Sequence, residues 1–186
     1  IDELKRLRED INVSYISVND WYDLIMEAVS VIENKVTEVS VKYIESMRVC
    51  YMEQEFTHNY MDSIINIEWT NYLEEIGHAI TGAVYLEFLD VKEKMEGKPT
   101  KVRVFQRGAK DIEDSRIMNI GGKMMLSAYH IGSHDNINET YEKIFRWAKA
   151  HGYKYGNTSI ERYVTDYWTI HKVDDFVTEI LVDIIK

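Results

Sequence analysis

The sequence predicts an α+β fold in which a concave antiparallel sheet is built from two similar halves. From about Val36 onward, β-branched and aromatic runs typical of strands alternate with two amphipathic helical stretches. The order strand, helix, strand, strand occurs twice, and such internal duplication indicates two structural units. Two such units side by side would leave a central crevice at their pseudo-twofold axis, where ligand pockets are common.

Composition and charge narrow the classes of function. The chain has 186 residues, 45% of them hydrophobic, which suits an ordered globular protein. A formal net charge of −10 would repel phosphate backbones and attract cations, so these residues are not expected to bind nucleic acid. The single cysteine, Cys50, cannot form an intramolecular disulfide, and no apolar run approaches the ~20 residues of a membrane helix. We therefore expect a cytoplasmic protein without membrane contact.

Residues 1–35 are predicted to be a helical linker that precedes the sheet. Residues 1–8 have apolar side chains at helical spacing and are either the end of a coiled-coil helix or an ordinary amphipathic helix. The β-branched run that follows is weakly helical. Asn19 or Asp20 could then cap a second helix with an apolar stripe.

Residues 36–186 are predicted to form one domain. The elements expected in its first half are a long or broken strand over 36–56 with a turn near Glu45 and Ser46, a helix over 59–78, a strand over 79–90, a charged turn over 92–99 and a strand over 100–109. Those expected in its second half are a strand pair over 115–134 broken at Gly121 and Gly122, a helix over 136–153, and strands over 158–168 and 175–185.

The strand that begins near Thr158 carries the most informative side chains. Alternation places Glu161 and Tyr163 on one face and Arg162 on the other. A carboxylate taken out of water must be protonated or meet a cation, and an aromatic wall beside it suits a bulky organic cation. The alternative is a solvated glutamate, or one paired with Arg162 or Arg146.

Other side chains could also take part in binding or chemistry. If the two halves superpose, Tyr85 occupies the place of Glu161 in the first half, so that the crevice holds a carboxylate opposite a ring. Cys50 has no flanking histidine and is expected to pack in the core. His130 and His134 are spaced four apart, but the intervening residues indicate a loop, so we expect no metal site. No phosphate-binding glycine motif and no cofactor site is predicted.

The second half resembles the GyrI-like effector-binding domain. The residues that carry the resemblance are Tyr129, Gly132, the helix around 141–147, Gly152, Glu161 with Tyr163, and the closing run Thr178, Glu179 and Ile180. The first half matches the family in the order of its elements rather than in its residues. Within the family, the chain is most similar to the multidrug-sensing activators of the MerR type.

This resemblance implies that Glu161 binds the positive charge of lipophilic cations and that aromatic rings stack around the ligand. It implies a further contact at Phe176 and one at the helix start, at Ile137 or Tyr141. We expect the rings that converge with Glu161 to complete the site. The predicted ligand-binding residues are Glu161, Tyr163, Tyr85, Tyr141, Ile137, Phe176, Trp147 and Tyr129.

The same resemblance implies how the domain is used. MerR-type regulators carry a DNA-binding winged helix, then a dimerising helix, then the effector domain. Residues 1–35 would be the remnant of the dimerising helix, DNA would be bound only through a segment that precedes Ile1, and the full-length protein would be a homodimer. The alternatives are a small-molecule hydrolase of the GyrI-like group, which would use Glu161 as a base, and a module that sequesters a protein partner.

Overall fold

A long helix precedes the sheet. In the computed structural model, which describes residues 1–108 and 113–185, α1 runs from Asp2 to Asn34 as one helix of 33 residues. The break expected near Asn19 and Asp20 is absent: the Asn19 amide donates to a carbonyl one turn earlier, and the Asp20 carboxylate accepts from the Thr81 hydroxyl. One side of the C-terminal half of α1, with Leu24, Ala28 and Val31, is buried against the sheet. This packing outweighs the weak helix propensity of the β-branched run.

The remaining elements follow the predicted order. The strands are β1 Ser40–Ile44, β2 Met47–Phe56, β3 Ile80–Phe88, β4 Thr100–Gly108, β5 Ile117–Ile120, β6 Lys123–Ile131, β7 Lys154–Thr165 and β8 Val177–Ile185. The further helices are α2 Tyr60–Ile64, α3 Ile67–Glu75, α4 Val91–Met95 and α5 Ile137–Ala150, with 3-10 turns at His134–Asn136 and Val173–Asp175.

Two elements differ from the sequence prediction. The helix expected over 59–78 is divided, because the Asn66 side chain accepts from the backbone N–H of Trp69 and starts a new helix. The charged segment expected as a turn over 92–99 contains α4, whose first turn is capped by the Asp90 carboxylate. This second difference matters for the site described below.

The strands within the described residues form an eight-stranded antiparallel sheet in the order β1-β6-β8-β7-β3-β4-β2-β5. Starting from the central pair, β7-β8-β6 on one side corresponds to β3-β4-β2 on the other, which confirms the predicted duplication. Strands β1 and β5 lie at opposite edges of the sheet. Strand β1 pairs with β6 but is joined to β2, and β5 pairs with β2 but is joined to β6, so the sheet has to curl to bring its two edges together. The two connections cross where the N–H of Gly122 donates to the carbonyl of Ile44, at 2.7 Å.

Helices cover both faces of the sheet. On the face that we call the α5 face, α2, α3 and α5 bury an apolar core that includes Trp69, Leu86 and Tyr163. On the opposite face, which we call the α1 face, Leu24 and Ala28 of α1 pack against the sheet. A side chain of the central strands is therefore enclosed whichever way it points, and the alternation along β7 decides which helix it meets.

Candidate ligand site around Glu161

Glu161 lies at the centre of the sheet. It is 0% exposed, and its strand neighbours are Leu86 of β3 and Ile180 of β8. The alternation predicted for β7 is confirmed, because Glu161 and Tyr163 contact the α5 face while Arg162 reaches α1 on the other face. The fold thus holds a carboxylate where a charge without partners would be costly.

Two phenols donate hydrogen bonds to this carboxylate. The Tyr141 hydroxyl of α5 donates to Oε1 at 2.8 Å, and the Tyr163 hydroxyl donates to Oε2 at 2.6 Å. The Ser159 hydroxyl lies 2.8 Å from that of Tyr141. Burial, and then the nearby Glu161 charge, raise the pKa of both tyrosines well above their ordinary value. Both phenols therefore remain protonated and orient the carboxylate.

The cation that faces Glu161 is Lys94 of α4. Its Nζ lies 2.8 Å from Oε1, and its side chain is 1% exposed. Glu161 is therefore neither solvated nor paired with Arg162 or Arg146, the alternatives that the sequence left open, because its charge partner is Lys94. The contact is an ion pair between two fully buried groups. Burial lowers the pKa of Lys94, and Glu161 offsets only part of this effect.

Aromatic rings surround the Lys94 ammonium. Its Nζ lies 4.2 Å from the centroid of the Tyr141 ring, 4.9 Å from that of Phe88 and 5.7 Å from that of Tyr60. These distances are within the range in which a cation is attracted to a π-face. A carboxylate and three rings form a binding site for a positive charge, and in this structure a side chain of the protein itself occupies it.

A second group of rings lies beside Tyr163. His134 lies at its centre, with ring centroids 4.8 Å from Tyr60, 5.2 Å from Tyr163, 5.7 Å from Tyr167 and 5.3 Å from Phe176. Burial lowers the pKa of His134 to about 4. The imidazole is therefore neutral at neutral pH, and this aromatic cluster adds no second cation near Glu161.

An apolar cavity of about 340 Å³ opens on the same face of the sheet. Val84, which lines it, pairs with Tyr163 in the neighbouring strand, whereas Glu161 itself does not line the cavity. Its lining includes Ile64, Trp69, Val104 and Trp168. The Trp69 Nε1 is buried and has no hydrogen-bond partner in the part of the chain that the structure describes. This cavity has the size and the apolar lining of a small-molecule pocket.

The predicted site residues divide between the two faces. Glu161, Tyr163 and Tyr141 are in direct contact, Phe176 belongs to the aromatic cluster, and Ile137 is buried at the start of α5. The sequence did not single out Lys94, Tyr60 or Tyr167 as ligand residues. The sequence indicated His134 only as a possible metal ligand, although its position just before the helix could be read from the sequence.

The expected place of Tyr85 is corrected. Tyr85 pairs with Arg162 rather than with Glu161, so its ring lies on the α1 face, stacked on Phe105 with centroids 5.0 Å apart. The residue of β3 opposite Glu161 is Leu86. A shift of one residue in register exchanges the faces, which the sequence alignment of the halves could not resolve.

Two further predicted residues also lie away from Glu161. The Tyr129 hydroxyl donates to Glu27 of α1 at 2.6 Å, on the α1 face. Trp147, near the end of α5, stacks on His151 and Tyr153 with centroids 4.0 and 5.7 Å away. Tyr129 therefore takes part in anchoring α1, and Trp147 packs at the far end of α5.

On the α1 face, charged side chains fasten α1 to the sheet. Arg162 binds Glu27 of α1 and also donates from Nε to Glu179 at 2.7 Å. Lys42 binds the other oxygen of Glu179 at 2.7 Å. Burial alone would raise the pKa of Glu179, but Arg162 and Lys42 outweigh it and lower the pKa. Arg162, the residue next to Glu161 in β7, thus makes the main ionic contact between the sheet and α1.

Within residues 1–108 and 113–185, no group of three or more His, Cys, Asp or Glu side chains is placed so that it could hold a metal ion. Nor does any helix in those ranges have both the length and the apolar character needed to cross a bilayer.

Several solved structures share the fold. The C-terminal domain of EcmrR has a TM-score of 0.66 at 19% identity, covering 81% of this chain and 99% of that chain. EcmrR in a complex with DNA has a TM-score of 0.65 at 16% identity, covering 99% of this chain and 69% of that chain. A hydrolase from Listeria innocua has a TM-score of 0.53 at 8% identity, covering 80% of this chain and 92% of that chain.

At these identities the likeness concerns the fold alone. No curated protein sequence matches the chain. The family is nevertheless clear, because the family model for the GyrI-like small molecule binding domain matches residues 37–185, which comprise the whole sheet and α2 to α5. The chain therefore belongs to the GyrI-like family of small-molecule-binding domains.

Proposed function

We propose that the chain is the ligand-sensing part of a bacterial MerR-type transcriptional activator and that it binds lipophilic, cationic small molecules at Glu161. The observation that carries this proposal is a fully buried carboxylate enclosed by aromatic rings, on the same face of the sheet as an apolar cavity of about 340 Å³. A ligand of this class would place its charge against Glu161 and its hydrocarbon in the cavity. The acidic net charge of −10 favours the approach of cations.

The chemistry of the site supports binding. Tyr141 and Tyr163 hold the carboxylate in one orientation, so it does not need to reorganise when a cation arrives. Rings at both sides would contribute dispersion and cation–π attraction. The neutral His134 would add a flat surface without repelling a cation.

The arrangement of α1 supports a role in a dimeric regulator. From Ile11 onward, exposed apolar residues recur along α1 with alternating spacings of four and three, which is the pattern of a coiled-coil seam. They are Ile11, Tyr15, Val18, Tyr22, Ile25 and Val29, and the exposed Leu4 lies seven residues before Ile11. We propose that a second copy of the chain covers this seam and that DNA is bound through another segment of the protein, as the similarity to the EcmrR–DNA complex suggests.

Replacing the carboxylate tests this function. Glu161→Gln should weaken the binding of tetraphenylphosphonium or rhodamine by at least about 30-fold, because loss of a buried charge partner costs roughly 2 kcal/mol or more. Fluorescence titration gives the affinity, and circular dichroism checks the fold. Glu179→Gln is the matched control, since it removes a buried carboxylate from the opposite face and should leave affinity within about twofold. Equal affinity of wild type and Glu161→Gln would overturn the proposal.

Hydrolysis is a second candidate, and the similar Listeria innocua structure described as a hydrolase favours it. A general base needs a free lone pair aimed at its substrate. The Glu161 oxygens already accept from two phenols and face Lys94, which favours binding over catalysis. Turnover of an activated ester that is lost in Glu161→Gln would decide for the hydrolase.

Sequestration of a protein partner is a third candidate, favoured by the complete enclosure of Glu161. A closed carboxylate is not available to a ligand until the surrounding side chains move. A stable complex with one protein that forms equally with wild type and Glu161→Gln, together with no binding of organic cations, would decide for it.

A further inference from the structure

Lys94 is an unusual residue to find in the interior of the site. Lysine side chains are seldom fully buried, since the ammonium has three N–H donors and is strongly hydrated in water. Here the side chain crosses from α4 into the space between α5 and the sheet and ends 2.8 Å from Glu161. It carries a positive charge on a four-carbon apolar stem, and so has the features of a small lipophilic cation.

We propose that the Lys94 ammonium is a built-in occupant of the cation site and that an incoming organic cation binds by displacing it from Glu161. This inference rests on the proposed function. It adds that the ligand-free protein is held in a self-occupied state, which sets a threshold for the affinity and the chemical class of ligand that can switch it.

The first support is the coincidence of positions. The ammonium contacts the buried Glu161 carboxylate and lies over the rings of Tyr141 and Phe88, at 4.2 and 4.9 Å from their centroids. These are the groups with which a bound cation would interact. Two positive charges cannot share this space, because at such separations in a buried site their repulsion would amount to several kcal/mol. A cationic ligand and the Lys94 ammonium therefore exclude each other.

The second support is the poor satisfaction of the ammonium. Its three N–H groups have Glu161 Oε1 as their one acceptor in the ranges that the structure covers, so they are incompletely satisfied. Buried donors without acceptors cost free energy. A quaternary ammonium or a phosphonium has no N–H groups to satisfy, so the site favours permanent organic cations over the lysine and over primary amines.

The third support is the ease with which Lys94 can leave. Helix α4 has only five residues, Val91–Met95, and ends at a chain reversal where Gly97 has φ +72°. Its neighbour Lys92 is exposed, and the Lys92 N–H bonds the Asn157 side chain at 3.3 Å, which is a weak tie to β7. Lys94 can therefore reach solvent through a local movement of α4, without disturbing the sheet.

Chemical labelling of amines tests the displacement in the unaltered chain. Lys94 should resist acetylation in the free protein and react at least about tenfold faster when tetraphenylphosphonium is saturating. Lys92 is the internal reference, because it lies on the same helix, is exposed in the free protein and should label at an unchanged rate. Mass spectrometry of the digested protein measures both rates.

The two proposals fail separately in this experiment. If titration shows that tetraphenylphosphonium binds while Lys94 stays protected, the displacement is overturned and the proposed function stands. If the wild-type chain does not bind the cation at all, the proposed function fails and the inference fails with it.

Variants at Lys94 give a second measurement. Lys94→Met should bind tetraphenylphosphonium roughly tenfold more tightly than wild type, because no ion pair has to be broken. Lys94→Arg keeps the charge and should not gain affinity. Equal or weaker binding by a folded Lys94→Met variant would contradict the displacement.

Discussion

Two buried side chains of opposite charge, Glu161 and Lys94, dominate the site at the scale of single residues. Each loses its hydration on folding, and each recovers part of this loss from the other and from the surrounding phenols and rings. Such a pair contributes little net stability as a whole, but the loss of one member leaves a charge buried without a partner.

A double-mutant cycle should show this dependence. Lys94→Met alone should lower the free energy of unfolding by about 3–5 kcal/mol, because Glu161 remains buried without a cation. The double variant Lys94→Met, Glu161→Gln should be more stable than the sum of the single changes predicts, by at least roughly 2 kcal/mol. Urea denaturation of the four proteins measures the coupling.

The control cycle uses Lys123→Met and Asp183→Asn. Their ion pair, at 2.8 Å, is partly exposed to solvent and should give a coupling of about 1 kcal/mol or less. Additive effects in the Lys94 and Glu161 cycle would show that the two charges do not depend on each other.

Residue-level prediction from the sequence succeeded where a local pattern determined the outcome. The alternation along β7 was enough to separate Glu161 and Tyr163 from Arg162. It failed for Tyr85, because which face a residue of β3 occupies depends on a register that only pairing between distant strands determines. Lys94 could not be found at all, since its partner lies far along the chain and its own segment has the composition of an exposed turn.

Single elements show the same division between local and distant causes. The β-branched run in α1 disfavours a helix by only a few tenths of a kcal/mol per residue. The contacts of α1 with the sheet, including that of Asp20 with Thr81 at 2.9 Å, exceed this cost. The order and approximate extent of the strands were predictable, because the alternation or the apolar run that indicates a strand is a pattern of consecutive residues. The cap at Asn66 that divides α2 from α3 was hidden by apolar residues continuing at helical spacing.

The connection between β5 and β6 depends on glycine. Gly121 has φ +78°, and a Cβ there would lie 2.1 Å from the carbonyl oxygen of Glu45 in the connection that crosses it. Gly122 has φ +70°, but a Cβ there would meet nothing closer than 3.6 Å. A side chain at Gly121 would therefore both strain the left-handed backbone and clash with Glu45. A side chain at Gly122 would only strain the backbone.

Alanine substitution separates these reasons. Gly122→Ala should lower the free energy of unfolding by about 1–2 kcal/mol, the cost of a left-handed backbone for a residue with a Cβ. Gly121→Ala should lower it by roughly 1–3 kcal/mol more, because the clash with Glu45 adds to the same backbone cost. Thermal or urea unfolding measures both values. Equal losses for the two variants would show that the strands do not cross as closely as described.

At the scale of the whole molecule, the duplication creates a site that neither half could form alone. The central pair of strands, β3 and β7, brings Lys94, which follows β3, onto Glu161 of β7. The duplication itself was predictable from the order of elements. The chemistry at its centre was only half predictable, because the second half carries the recognisable motif and the first half supplies the lysine.

The same strand also connects the site to α1. Glu161 points to the α5 face, and its neighbour Arg162 binds Glu27 of α1 on the other face. A change in the position of β7 on ligand binding would therefore act on the ionic contact that holds α1. This arrangement gives a physical route by which a small molecule in the effector domain can alter the helix proposed to join two copies of the chain.

The most direct test of the central claim, that Glu161 is the counter-charge of the ligand, is an experimental structure of the chain with tetraphenylphosphonium bound. We predict that the phosphonium lies beside the Glu161 carboxylate, within about 6 Å of the surrounding ring centroids, and that the Lys94 ammonium has left its place. A ligand bound elsewhere, with the contact between Lys94 and Glu161 unchanged, would contradict the claim.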